Sequence, residues 1–244
     1  MTALRSLAGG SVLAAMVALG GPAAMAGDGI KDSAQPFSWS GFSVGVHAGA
    51  GRGSGDHTIT GDGLDFIKNF GKVELEGGFA GASLARDWQV GQVVFGIVVD
   101  ISKSDVGGFA TSDVDVLQGY ETKIDWFGTV RGKLGYAAGP YLLYATGGLA
   151  YGQVEATLGN LVSHGTFNPF SGVVSGKDTR VGWAAGGGID VSVANNWVLG
   201  VEYLYVDLGG AMTLTGLRNL NTIASPVDVD ADIHTVRANL RYKF

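Results

Sequence analysis

Four histidines, His47, His57, His164 and His234, are the side chains suited to metal ligation or to proton transfer near neutral pH. Their spacing supports neither: no two form an H-x-x-x-H pair, and there is no H-E-x-x-H stretch. Ser163 stands directly before His164, but neighbours on an extended strand point to opposite faces, and no G-x-S-x-G elbow is present. The run Gly49, Gly51, Gly53, Gly55 fits neither G-x-G-x-x-G nor a phosphate-cradling G-x-x-x-x-G-K. The chain has no cysteine, which removes thiolate metal sites, iron–sulfur clusters and thiol nucleophiles. Asp105, Asp113, Asp115 and Glu121 form one acidic group, and Asp228, Asp230 and Asp232 another. Such groups are of the kind that bind calcium, but are more simply read as solvated faces or as cation bridges to anionic lipopolysaccharide. No catalytic, cofactor-binding or metal-binding residue is assigned, and the sequence does not read as an enzyme.

The chemistry that remains is ionic. At the C-terminus Val236, Ala238, Leu240, Tyr242 and Phe244 alternate with Arg237, Asn239, Arg241 and Lys243. Strict period two puts one apolar and one cationic face on a single strand. The same pattern opposes Ile124, Trp126, Val130, Leu134 and Tyr136 to Lys123, Asp125, Phe127, Arg131 and Lys133. Around residue 97, Val93, Phe95, Ile97, Val99 and Ile101 oppose a face that holds Asp100. Val73, Leu75 and Phe79 alternate with Glu74 and Glu76, and Trp197 to Tyr205 alternate with a face that holds Glu202.

The elements that must position these charges are unusual. Only 16% of residues are charged, against about a quarter in soluble domains, yet mean hydropathy is +0.23. Net charge is −6, which argues against nucleic acid as a partner. Arg5 precedes a 13-residue apolar and glycine stretch, Leu7 to Leu19, and Ala24-Met25-Ala26 follows. That is the pattern of a secretory signal peptide over residues 1–26, and the stretch is too short to span a bilayer. No later stretch is apolar for a transmembrane helix's length, so insertion of the exported chain must use strands closed into a barrel.

Eight strands are expected, centred near residues 45, 79, 97, 130, 147, 187, 202 and 239. Short links near 87–91, 137–139 and 194–196 alternate with long loops at 52–71, 103–121, 155–178 and 209–230. This predicts an all-β, eight-stranded antiparallel up-and-down transmembrane barrel over residues 39–244, with short periplasmic turns and long extracellular loops, after a short periplasmic segment, 27–38. Trp39, Trp88, Tyr136, Tyr141, Trp197, Tyr242 and Phe244 are expected to form the periplasmic aromatic girdle, with Trp126 and Tyr151 ten residues on at the outer one. The inward charged network is then Glu74, Glu76, Arg86, Asp100, Asp125, Arg131, Lys133, Asp190, Glu202, Arg237 and Arg241, with Glu202 and Arg237 facing across adjacent strands.

Trp39-Ser40-Gly41-Phe42-Ser43-Val44-Gly45, the stretch Leu142 to Gly152, the stretch Val201 to Gly209 and the final Val236 to Phe244 resemble the small alphaproteobacterial outer-membrane β-barrel surface antigens, filed with porin-family and OmpA-like barrels. The group usually carries an acid near Val98, which this chain lacks. The resemblance implies an integral outer-membrane protein embedded in lipid and lipopolysaccharide. It also implies insertion by the barrel-assembly machinery, which reads the last strand through Tyr242 and Phe244. The expected role is structural, at the surface of a Gram-negative envelope, and the expected state is a monomer. A small porin-like diffusion channel is the second reading, and a loop-mediated ligand (haem) binder or adhesin the third.

Overall fold

Alternation makes each strand amphipathic, and a strand pair in lipid must satisfy every backbone group laterally, so the sheet has to close on itself. The computed structural model describes residues 37–59, 72–111, 118–162, 166–167, 173–194, 196–209, 211–218 and 221–244. The strands are β1 (Gly41–Ile59), β2 (Lys72–Val90), β3 (Val93–Thr111), β4 (Gln118–Ala138), β5 (Tyr141–Val162), β6 (Thr166–Phe167), β7 (Val173–Ala194), β8 (Trp197–Asp207), β9 (Ala211–Arg218) and β10 (Asn221–Lys243).

Each barrel strand pairs antiparallel with its sequence neighbour, and β1 pairs with β10 to close the ring. Two-residue β6 only adds to the end of β5. β8 and β9 together form one rising strand of the ring, both pairing with β10, so the barrel has eight staves. Gly91 and Gly139 open the two-residue turns after β2 and β4, each at φ 61°, a conformation that suits glycine.

Most strands are 19 to 23 residues long, about twice the 9–11 that a tilted transmembrane strand needs. The barrel therefore runs far into the segments 52–71, 103–121, 155–178 and 209–230 that the sequence reading assigned to loops. Polarity inverts along this length. In the lower half the outside is apolar, with Val44, Leu84, Ile97, Leu143, Val201 and Leu240 exposed, and the inside is polar. In the upper half Glu74, Glu76, Lys103 and Lys123 are outside, while Val73, Leu75, Phe79, Ile124, Phe127 and Ile233 are buried within. The crossover lies at the level of Trp126 and Tyr151, which meet edge to face at 6.1 Å. Below it the surroundings are hydrocarbon; above it they are water, so apolar side chains gain by turning inward, about 1.5–3 kcal/mol for each fully buried large one.

The N-terminal assignments, residues 1–26 and most of 27–38, fall outside the described residues, as do Ser163, His164, Asp113, Asp115 and the side chains of His57, Asp228 and Asp230.

Candidate functional site

Among the described residues, eight interior charges converge on the lower half; Arg180, also buried, sits higher, at the level of Phe127, with its Nη1 donating to the Leu208 carbonyl. Asp100 (β3), Arg131 (β4), Glu202 (β8) and Arg237 (β10) form a quartet across the lumen. Arg131 Nη2 donates to Asp100 Oδ2 at 2.8 Å, and its Nη1 donates to Glu202 Oε1. Arg237 Nη2 lies 3.3 Å from Asp100 Oδ2 and 3.2 Å from Glu202 Oε1. The Thr129 hydroxyl donates to Asp100 at 2.6 Å, and the Tyr144 hydroxyl to Glu202 at 3.0 Å. Glu202 and Arg237 are register partners, as the period of their strands requires. Asp100 lies one inward position beyond Val98 on β3 and is the acid that strand brings to the quartet.

A second group lies nearer the periplasmic end. Arg241 pairs with Asp190, and Lys133 Nζ sits 2.8 Å from the Asp87 carboxylate and 5.4 Å from the Tyr144 ring centroid. Each group holds two cations and two anions, so each is formally neutral. That balance is what makes buried charge tolerable, since an unpaired ion in a dry interior costs several kcal/mol. Glycine on neighbouring strands makes room for the large interior rings beside these pairs. A Cβ at Gly188 would stand 2.7 Å from the Tyr144 hydroxyl, and one at Gly49 would stand 2.8 Å from the Phe79 ring.

The structure corrects four members of the expected network, Glu74, Glu76, Asp125 and Arg86. Glu74 and Glu76 point outward, because β2 keeps one parity from Val73 to Asp87 and its upper apolar residues face the water-excluded interior rather than lipid. Arg52 and Glu76 pair at 3.2 Å with side chains 78% and 70% exposed. Such pairs contribute little, so Glu76→Gln is expected to move the unfolding free energy by less than about 1 kcal/mol in a denaturation series. Asp125 sits at a β-bulge, where the register shifts between Ile124 and Trp126 and the facing residue inverts. Ile124 is therefore inside, and Asp125 outside, bound to Lys177. The Lys177 ammonium, donating to Asp125, holds that carboxyl below its usual range; whatever the pair contributes is present at neutral pH and lost as pH falls through the carboxylate range. Arg86 faces outward on the same parity as Leu84 and Trp88.

Trp39 is a fifth correction. It does not join the girdle but turns into the periplasmic mouth, 2% exposed, and packs with Val94, Ala137, Leu142, Tyr144 and Val198. Phe37 covers it edge to face at 4.9 Å, and the Trp39 backbone N–H donates to Gln89 Oε1 at 2.7 Å. Asp87 and Tyr144 are interior polar residues that sequence reasoning missed. Asp87 had been placed in a turn, Tyr144 was masked by a strand that is apolar on both faces, and His47, read as inward, is hydrogen-bonded to Ser102 at 2.7 Å. The parity of Ser83 and Ala85 was the available signal for Asp87.

Read from the periplasm upward, the lumen of the described residues holds an aromatic and aliphatic layer at Trp39, the Arg241 and Lys133 pairs, the quartet, and an apolar layer around Phe79 and Phe127. No group of three or more histidine, aspartate or glutamate side chains suited to a metal is present among the described residues.

A model of the outer membrane protein beta-barrel domain matches residues 11–244. The chain is 36% identical to the 31 kDa outer-membrane immunogenic protein of Brucella melitensis, over 96% of this chain and 98% of that one. It is 34% identical to the 22 kDa outer membrane protein of Rhizobium leguminosarum, over 70% of this chain and 64% of that one. Among solved structures it is similar to the outer membrane protein OprG of Pseudomonas aeruginosa at 15% identity and a TM-score of 0.46, covering 84% of this chain and 97% of that chain.

Proposed function

The chain belongs to the outer membrane protein beta-barrel domain family, and from that premise we propose that it is a closed structural barrel of the cell surface rather than a diffusion pore. It resides in the outer membrane, and relatives that match it over nearly their full length are named as outer-membrane immunogenic proteins. The observation that carries the closed reading is the filling of the lumen. Two formally neutral ion clusters occupy the membrane-level interior, and apolar layers lie above and below them. An eight-stranded barrel has an interior about wide enough for side chains alone, so paired charges of this density fill it among the described residues.

A pore lining is built differently, with unpaired charge of one sign facing water. Catalysis finds no support in the arrangement either: the quartet's carboxylates are engaged by guanidinium, hydroxyl and phenol donors. What the barrel presents outward is the stave extension above the membrane, polar outside and apolar inside. Its role is to anchor that extension at the surface. The export signal at residues 1–26 and the use of Tyr242 and Phe244 by the assembly machinery belong to this same reading. The test is deletion in the native host: envelope sensitivity to detergent and to chelators should rise while uptake of small hydrophilic solutes stays unchanged. Slowed solute uptake in an otherwise intact envelope would overturn the reading.

A further inference from the structure

Between the two aromatic girdles the lipid-facing positions of the described strands carry a single charge, Arg86. Its guanidinium rests 4.3 Å from the Phe42 ring centroid and 5.5 Å from that of Trp88, a girdle residue two positions nearer the periplasm. No carboxylate among the described residues pairs with it. A guanidinium has five donors and no acceptor, and hydrocarbon supplies none. At girdle level on the periplasmic side, the acceptors a membrane offers are headgroup phosphate and ester oxygens, and a phosphate matches the guanidinium fork two-pronged.

Across Ile97 from Arg86, on β4 and β5, the lipid face is recessed. Arg86, Ile97, Gly132 and Gly147 are successive cross-strand partners on β2, β3, β4 and β5. Trp88, Phe95 and Leu134 form the next row down. The two glycines give a groove of about 520 Å³ a floor without side chains, walled by Trp88, Phe95, Ile97 and Leu134. Nothing in the protein requires glycine there. A Cβ at Gly132 would meet only the Gly147 carbonyl oxygen at 3.8 Å, and one at Gly147 only that of Ala184 at 3.6 Å. The interior-facing glycines of these strands, by contrast, are crowded; a Cβ at Gly148 would stand 2.2 Å from the Val130 oxygen.

We propose that Arg86 and this groove hold one anionic glycerophospholipid of the periplasmic leaflet, its phosphodiester on the guanidinium and one acyl chain lying across Gly132 and Gly147. The absence of an outward carboxylate beside Arg86, among the described residues, favours a headgroup without an ammonium, such as phosphatidylglycerol. This site is independent of whether the lumen conducts.

The experiment refolds the protein into vesicles of mixed phosphatidylglycerol and phosphatidylcholine, extracts it in mild detergent, and reads retained lipid by native mass spectrometry. Folding of every variant is checked by heat-modifiable gel mobility. Wild type should carry one lipid, enriched in phosphatidylglycerol over the vesicle composition. Arg86→Gln should bring that enrichment down to the vesicle ratio, and Arg86→Lys should keep part of it. Gly132→Leu and Gly147→Leu should lose retained lipid of both headgroups while folding normally. A wild-type barrel without retained lipid, an Arg86→Gln barrel with unchanged enrichment, or leucine variants that retain lipid as wild type does would each overturn the proposal.

Discussion

Replacing Glu202 by alanine is expected to destabilise the folded barrel by about 3–5 kcal/mol, the usual cost of removing one partner from a buried ion pair. The size follows from what is left behind. Arg131 and Arg237 both converge on Glu202, and without it two guanidiniums share Asp100 alone in the interior. Tyr144 also loses the acceptor of its hydroxyl. Urea unfolding in lipid vesicles, followed by tryptophan fluorescence, measures the change. Glu202→Gln keeps the volume and an acceptor oxygen but not the charge, and should fall between wild type and alanine. The double variant Glu202→Ala with Arg237→Ala leaves Arg131 and Asp100 as a neutral pair. It should be less destabilised than the sum of the single variants, by about 0.5–3 kcal/mol of coupling. An unchanged midpoint for Glu202→Ala would mean that Arg131 and Arg237 relax into water, and so that the lumen is wet.

Phe79→Ala should cost about 3–5 kcal/mol, as large aromatic truncations in closed cores do. Phe79 is buried, lies over Gly49 and meets Phe127 edge to face at 5.2 Å. Phe127→Ala should cost a similar amount. The two together should show coupling of about 0.5–1.5 kcal/mol, the value of an aromatic pair beyond its area. The alternation of β2 alone puts Phe79 on lipid, where it would not touch Phe127; strictly additive losses would favour that placement. The same urea series, with limited proteolysis of the extracellular part as a second readout, decides between them.

These two residues also mark what the sequence made legible. Period two located all eight staves, their antiparallel order and the inward set Asp100, Arg131, Lys133, Asp190, Glu202, Arg237 and Arg241, because lipid outside and polar groups inside give each strand a clean binary pattern. Where the strand leaves the membrane, the same binary pattern means the opposite. Val73, Leu75 and Phe79 look like a lipid face and are a core, and Glu74 and Glu76 look like a lumen and are a surface. No local property of β2 marks that crossover; it depends on the height of the neighbouring strands. Asp125 was hidden by a bulge, which costs one residue and inverts every position beyond it. Trp39 was hidden by precedent, since tryptophan near a strand start reads as a girdle residue, whereas here the residue lies before β1 and folds into the barrel mouth. The neutrality of the lower cluster was not legible, because Asp87, its second anion, reads as part of a turn and meets Lys133 only through cross-strand register.

The filled interior is the claim on which the functional reading stands, and planar-bilayer conductance tests it most directly. The chain without residues 1–26 is refolded, its fold verified by heat-modifiable mobility, and single-channel current recorded. Folded protein should insert and remain electrically silent. Reproducible discrete current steps from folded barrels would contradict the account, and would make the paired charges of the lumen the lining of an open channel.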